Sequence, residues 1–206
     1  MAQPSQPDVQ NRSALEGQLR EIYGRAAYTH KTHQKMADAY IGRYKLLKLV
    51  EIVLSAATTT SLVVAIFGRN EIATMLGAIF SAILAGCTLY FKEASLGEQA
   101  QRHTEVGAKL WGVREALLSL LVDLQDGRAE SEVRTERDRL NGQLEEIYKA
   151  APRTSPKAYA AAQKALKDAE ELFFTDAELD KMLPKQLRSG TGGSRLRSSR
   201  PAEGNQ

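Results

Sequence analysis

Two uncharged stretches separated by only four residues dominate this sequence. The first, IVLSAATTTSLVVAIF, covers residues 52–67, and the second, IATMLGAIFSAILAGCTLYF, covers residues 72–91. At about 1.5 Å per helical residue, about 20 residues cross a bilayer core of roughly 30 Å, so the second stretch is long enough. The first becomes long enough when residues 47–51 are added, although these include Lys48 and Glu51. We therefore predict transmembrane helices at 47–67 and 72–91.

The connection between the two stretches predicts a hairpin, because residues 68–71 are too few for any return except an antiparallel one. Arg43, Lys45 and Lys48 precede the first span, and Lys92 and Arg102 follow the second. Basic residues concentrate on the cytoplasmic side, so both ends of the hairpin are predicted to be cytoplasmic. The first 12 residues lack the basic-then-apolar order of a signal peptide, which agrees with a cytoplasmic amino terminus.

Apolar residues three and four positions apart predict long helices on both flanks of the hairpin. Ser13 and Glu16 have capping-box spacing and open a helix over 13–48 that continues into the first span. Val106, Leu110 and Val113 belong to a second helix over 92–126. Because one helix enters the membrane beside the other, the two are predicted to form an antiparallel cytoplasmic stalk.

The remaining chain predicts smaller elements. Cytoplasmic helices are expected at 130–151, 155–174 and 176–183, with a flexible leader at 1–12 and a disordered Gly, Ser and Arg-rich tail at 189–206. The region 13–188 is thus read as one helical domain. The predicted fold class is an all-α membrane protein.

One sequence segment is repeated. LEGQLREIYGRAAYT at 15–29 matches LNGQLEEIYKAAPRT at 140–154 in Leu, Gly, Gln, Leu, Glu, Ile and Tyr in the same order. Two helices with such similar surfaces would fit equivalent grooves, or exchange places between subunits. The alternative is chance convergence of two amphipathic helices.

Polar residues inside the first span form a candidate functional lane. Glu51, Ser55 and Thr58 are spaced four and three apart, and polar side chains in spans usually face a bundle interior or water. They are the candidate pore-lining residues. The alternative is ordinary packing, with the hydroxyls bonded to their own helix backbone.

Small residues on the second span form a candidate packing row. Gly77, Ser81 and Ala85 lie on one face and permit close helix approach, either to the first span or to a neighbouring subunit. Trp111 is a further candidate for a helix contact between subunits, with filling of the cytoplasmic helical core as the alternative.

Composition and motifs argue against several function classes. The 28 basic and 25 acidic residues are interspersed and give a net charge of +3, which does not predict nucleic-acid binding. Cys87 is the single cysteine. His30, His33 and His103 are the only candidates for a metal site, and packing is the favoured interpretation. No catalytic or phosphate-loop motif is present, so neither an enzyme nor a cofactor is predicted.

The layout resembles the SLATT family, bacterial proteins with two transmembrane helices that are associated with SMODS nucleotidyltransferases and SLOG sensors. The resemblance covers roughly residues 15–188. It rests on sparse positions: Trp111-Gly112-Val113-Arg114-Glu115, Leu118, Leu121, Asp123, Ile147-Tyr148, Pro152, Tyr159, Leu179-Asp180 and Leu183-Pro184.

This resemblance implies an antiphage effector in the bacterial inner membrane. Such a protein would oligomerise and permeabilise the membrane when a nucleotide-producing or nucleotide-sensing partner encoded nearby is activated. The alternative is a non-conducting anchor whose stalk recruits a signalling partner. The implied partners are membrane lipid, further copies of this chain and the signalling protein.

Overall fold

The computed structural model describes residues 6–68, 71–172, 174–185 and 188. These residues form six helices and no strand: α1 Gln6–Gly68, α2 Glu71–Ala94, α3 Leu96–Gln125, α4 Glu130–Ala150, α5 Pro156–Lys167 and α6 Asp176–Met182. The chain divides within α5 into two compact units, Met1–Gln163 and Lys164–Gln206. The all-helical class is confirmed for the described residues. The predicted tail at 189–206 and the centre of the predicted turn, Arg69 and Asn70, lie outside them.

Helix α1 is a single helix of 63 residues that contains the first apolar stretch. The prediction of a flexible leader over 1–12 is wrong for residues 6–12, which are helical. Pro7 lies in the first turn, where the N–H that proline lacks would have no helical partner anyway. Ser13 is consequently inside the helix rather than its cap. The guanidinium of Arg12 donates to the carbonyl of Leu124 and ties this end of α1 to α3.

The predicted continuous helix over 92–126 is interrupted at Ser95. This residue adopts the left-handed conformation with φ 43° and ψ 40°, and α3 begins immediately after it. A non-glycine residue in this conformation costs roughly 1–2 kcal/mol. The α2–α3 side therefore bends at Ser95, whereas α1 remains unbroken.

The core of the first unit lies where α1 and α4 pack on α3. A tight turn with Gly127 at φ 99° reverses the chain after α3, so α4 runs antiparallel to α3. The buried cluster consists of Leu15, Leu19, Ile22, Ala26, Val106, Leu110, Val113, Leu117, Leu120, Leu124, Val133, Leu140 and Leu144. Helix α3 thus supplies the central element, and its residues in this cluster recur at alternating intervals of four and three along one face.

The repeated segment packs in the same way both times it occurs. Leu15 and Leu19 of α1, and their counterparts Leu140 and Leu144 of α4, are all buried in this cluster. The counterparts of Ile22 and Ala26, Ile147 and Ala151, are partly buried against it. Equivalent packing against α3 accounts for the repeat within one chain, and exchange between subunits stays a prediction.

The helix predicted over 155–174 is too long. Helix α5 ends at Lys167, and Glu170 and Leu172 have φ values of 47° and 110° that a right-handed helix does not allow. The N–H of Glu171 returns to the carbonyl of Ala165 at 3.0 Å and closes the helix end. Within the second unit, Thr175 and Glu178 form the predicted capping box at the start of α6.

Two adjacent leucines of α3 provide a matched test of this packing. Leu117 is 0% exposed and Leu118 is 45% exposed. Replacing a buried leucine by alanine typically costs about 2–5 kcal/mol, because it removes contacts and leaves a cavity. We expect Leu117→Ala to lower the midpoint of thermal unfolding in detergent strongly and Leu118→Ala to change it little. Equal effects would contradict the placement of α3.

Candidate functional site

The two apolar stretches lie in α1 and α2 with most of their side chains exposed. Both helices are long and apolar enough to cross a membrane, and their most apolar 18-residue windows are 0% and 6% buried within the protein. A core helix of a soluble protein would bury such a window. This exposure therefore fits a lipid surrounding.

The two helices meet along a seam with alternating three and four residue spacing. The seam residues are Glu51, Leu54, Ala57, Thr58, Ser61 and Ala65 on α1, and Ala73, Gly77, Phe80, Leu84, Cys87 and Phe91 on α2. The approach is close at Gly77, where a Cβ atom would lie 3.3 Å from the Cβ of Ser61. A small residue is therefore needed at position 77.

The three residues of the predicted packing row do not share one environment in the structure. Gly77 is buried in the seam, while Ser81 and Ala85 are exposed. Within one chain the row does not pack on α1, because α2 turns Ser81 and Ala85 toward one flank of the seam. Contact of these two residues with a neighbouring subunit stays a prediction.

The three residues of the predicted polar lane likewise do not share one environment. Glu51 and Thr58 are half-buried in the seam, whereas Ser55 is exposed. The hydroxyl of Thr58 donates to the carbonyl of Leu54 at 2.8 Å, so its hydrogen bond is made within its own helix. The three residues thus do not line one path inside a single chain.

A polar and aromatic cluster forms at one end of the seam. Lys48 Nζ lies 2.9 Å from Glu51 Oε2, and the hydroxyl of Thr88 on α2 lies 3.5 Å from Glu51 Oε1. Lys48 Nζ is also 5.1 Å from the ring centroid of Phe91, which packs on Tyr44 at 5.0 Å. We call these five residues the Lys48–Glu51 cluster. Its ion pair neutralises the one carboxylate that the sequence places at this end of the first span.

The contact between Thr88 and Glu51 identifies one side of the hairpin as polar. Since each helical residue advances by about 100°, Ser55 and Thr59 of α1 lie on this side, and so do three residues of α2. These are Thr74, Ser81 and Ala85, and all five are exposed. We call the set Lys48, Glu51, Ser55, Thr59, Thr74, Ser81, Ala85 and Thr88 the polar side. The opposite side, which we call the apolar side, carries exposed Val53, Val64, Leu76, Ile79 and Ile83 together with Thr60.

Sequence reasoning missed the α2 part of the polar side. Thr74, Ser81 and Thr88 recur at intervals of seven residues, which keeps them on one helical face. This spacing was a usable signal. Ser81 also belongs by size to the row of small residues that begins at Gly77, and this second pattern hides its spacing from the two threonines.

Trp111 does not fill the helical core. Its side chain is 52% exposed on α3, and Leu118 and Val122 lie exposed on the same face. Its predicted role in a contact between subunits stays a prediction.

Three histidines are buried between α1 and α3. His30, His33 and His103 are 4%, 2% and 1% exposed. The Nδ1 atoms of His33 and His103 are 2.8 Å apart, which requires one ring to donate and the other to accept, and His30 Nδ1 lies 2.8 Å from the carbonyl of Gly107. The ring of Tyr40 stacks on His103 at 5.6 Å. Among the described residues, no group of three or more His, Cys, Asp or Glu side chains is placed to hold a metal ion.

The surroundings of these histidines disfavour their protonated forms. Burial, and then the neighbouring His103 and His30, lower the pKa of His33 to about 4. Burial also lowers the pKa of His103. For His30, burial lowers the pKa more than the Gly107 carbonyl raises it, and Arg114 and Lys31 lower it further while Glu115 raises it slightly. Neutral imidazoles therefore join α1 to α3.

Acid is expected to destabilise the packing of α1 on α3. The pKa of His33 is about 4 in the folded chain, below its ordinary value of 6.5, so the unfolded chain binds more protons between these values. The contribution to folding is complete above pH 6.5 and is lost as pH falls toward 4, at up to about 1.4 kcal/mol per pH unit. Thermal unfolding in detergent from pH 7 to pH 5 should show this loss. A His33→Asn, His103→Asn variant should show a smaller one, and an identical pH dependence would contradict the account.

The comparisons with known proteins agree with a two-helix membrane domain. Residues 15–178 match the family described as SMODS and SLOG-associating 2TM effector domain family 4. Neither the curated proteins nor the solved structures give a match. The matched residues include both apolar helices, the seam between them and the helices packed on α3. This chain is a membrane protein that belongs to the SLATT family of SMODS and SLOG-associating two-transmembrane effector domains.

Proposed function

We propose that this chain is a bacterial antiphage effector that oligomerises and permeabilises the inner membrane with both of its termini in the cytoplasm. The observation that carries the proposal is the polar side of the hairpin. Ser55 and Thr59 on α1, and Thr74 and Ser81 on α2, are exposed on the same side of the hairpin, whose opposite side carries mostly apolar side chains.

Oligomerisation is required because two helices cannot enclose a path for ions. Several hairpins arranged in a ring would place their polar sides around a lumen and their apolar sides toward lipid. Polar side chains in membrane spans usually face such an interior, because contact with lipid leaves them unsolvated. Ser55 and Ser81 line the lumen in this arrangement, with Glu51 at its cytoplasmic end. Thr58 stays in the seam.

The distribution of residues along the polar side supports a closed resting state. On α1, Ser55 and Thr59 occupy the polar side near the Lys48–Glu51 cluster. Closer to the turn, Leu62 and Ile66 occupy the same side. Apolar constrictions close pores by excluding water. Opening would then require the hairpins to rotate or separate, and the bend at Ser95 supplies a point at which α2 moves relative to α3.

The trigger in this proposal is a partner rather than a reaction at this chain. The family name itself refers to association with SMODS and SLOG proteins. A nucleotide-producing or nucleotide-sensing neighbour would act on the cytoplasmic helices. Membrane damage of this kind requires no catalytic group.

A second function, that of a non-conducting anchor, is favoured by a different observation. The hydroxyls of Thr58, Thr59 and Thr60 donate to the carbonyls of Leu54, Ser55 and Ala56 at 2.8–2.9 Å. Threonines bonded in this way are tolerated in lipid without a water-filled path. In this case the hairpin only locates the cytoplasmic helices, which recruit a signalling partner, and any generic hairpin would replace it.

Leucine substitutions on the two sides of the hairpin distinguish these functions. We expect Ser55→Leu with Ser81→Leu to abolish potassium and propidium leakage in bacteria that express the chain with its genomic neighbours, because both would fill the lumen with apolar bulk. Val53→Leu with Val64→Leu is the matched control on the apolar side and should leave leakage unchanged.

Leakage that needs a neighbouring gene and is lost only in the polar-side variant would support the pore. Intact membranes despite verified insertion and partner activation would contradict it and favour the anchor. Equal leakage from both variants would contradict the assignment of the polar side.

A further inference from the structure

An open groove runs between α1 and α3, beyond the end of the hairpin. Two adjoining depressions of about 490 and 550 Å³ form it, and both are lined by Ile41 and Thr104. On α3 the groove extends from Gly97 to Trp111, which is about 21 Å along the helix axis. Among the described residues, its walls come from α1 and α3 alone. We call it the α1–α3 groove.

A ridge and a hollow lie side by side in this groove. The ridge is Trp111, which is 52% exposed. The hollow beside it has buried Ala37 and Gly107 as its floor, and exposed Thr104 and Ala108 at its edge. Ala108 lies about 4.5 Å along α3 from Trp111. A surface that carries a ridge next to a hollow of small residues is suited to a second copy of itself.

The groove also leaves large apolar side chains exposed. Ile41 is 40% exposed and Tyr44 is 37% exposed. Together with Trp111 they leave roughly 300 Å² of accessible surface, which is the size at which a patch on a single chain is often functional. A stable contact between two proteins takes about 800 Å² from each partner. The groove therefore supplies part of such a contact and needs a continuation on the same side of the molecule.

The polar side of the hairpin supplies this continuation. Ile41 precedes Lys48 by seven residues and Ser55 by fourteen. Seven residues make nearly two helical turns, so these three residues share one face of the unbroken α1. Met36 is turned by about 140° from Ile41 around the helix. That flank is already covered, because Ser155 Oγ at the start of α5 donates to Met36 Sδ at 3.3 Å.

We propose that the α1–α3 groove is the surface on which a second copy of this chain docks, with Trp111 of one copy seated in the hollow of the next. Copies inserted into one membrane in the same direction hold equivalent residues at the same depth. Trp111 and Ala108 of adjacent copies then lie at nearly one level. A copy that meets the polar side of its neighbour therefore meets the groove as well.

The chemistry of the groove suits such a contact. Buried tryptophans contribute strongly to association, and the indole N–H needs an acceptor when it leaves water. The exposed carboxylate of Asp38 at the edge of the hollow supplies one. Lys45 lines the other end, so the groove carries charges of both signs and does not select a strongly acidic or basic partner. This inference rests on the oligomerisation in the proposed function, but it holds whether or not the hairpin conducts.

Trp111 is the single tryptophan of the chain, so its fluorescence reports on this surface alone. The full chain would be made with 5-hydroxytryptophan, which is excited where the tryptophans of other proteins are not. It would be compared in nanodiscs that hold one copy and in proteoliposomes that hold many, with and without its genomic neighbours. Single-molecule photobleaching counts the copies. We expect iodide to quench Trp111 in the single copy and to quench it severalfold less in assembled copies.

The variant Ala108→Glu changes the hollow without changing Trp111. It should reduce the number of associated copies and restore quenching to the level of the single copy, because docking would bury a carboxylate. The matched control Ser119→Glu places the same charge on α3 outside the groove and should change neither. Both positions are exposed, so the fold should be retained, which circular dichroism checks.

The proposal is overturned if Trp111 is as open to iodide in assembled copies as in the single copy, or if the two variants behave alike. Protection of Trp111 in the single copy, with quenching by brominated lipid, would assign the groove to lipid and also overturn it. Assembly and leakage with an open Trp111 would leave the proposed function standing and place the contact elsewhere. Docking at the groove without leakage would support this inference and contradict the pore.

Discussion

The packing of one unbroken helix against two successive partners is the constraint on which the rest of the structure depends. Helix α1 meets α2 along the apolar seam and α3 along the buried histidines and leucines. Because α1 continues through both regions, a change in either packing surface acts on the same rigid element. The left-handed Ser95 interrupts only the opposite side, where α2 ends and α3 begins.

The two parts of α1 are held by different physical forces. Between α1 and α3, burial of leucine side chains stabilises the pairing, and neutral histidines are buried between these leucines and the hairpin. Between α1 and α2 the apolar side chains remain exposed, and close approach at Gly77 supplies packing that the hydrophobic effect cannot supply in lipid. The polar side is consequently the part of the hairpin that lipid solvates least well, and a neighbouring subunit or water would satisfy it better.

Much of this architecture follows from patterns in the sequence. Two uncharged stretches and a four-residue connection predict the paired apolar helices, and three-four spacing predicts the leucines that α3 buries. The left-handed Ser95 could not be predicted, because serine has no strong preference for that conformation. The early end of α5 likewise depends on φ values at Glu170 and Leu172 that neither residue type favours. The candidate site could be predicted only in part. Spacing identifies Glu51 and Ser55, but the flank of the seam on which they lie depends on how each helix is rotated about its axis, which the sequence does not give. Thr88 is identified only by its contact with Glu51.

Accessibility of single cysteines to water tests the central claim most directly. In a Cys87→Ala background, Ser55→Cys or Ser81→Cys would be compared with Val53→Cys or Ile79→Cys in proteoliposomes that contain the activated protein. The account predicts that a charged, membrane-impermeant thiol reagent modifies cysteines at 55 and 81 and leaves those at 53 and 79 unmodified. Equal protection of all four positions in protein that leaks, or modification confined to 53 and 79, would contradict a water-filled path along the polar side.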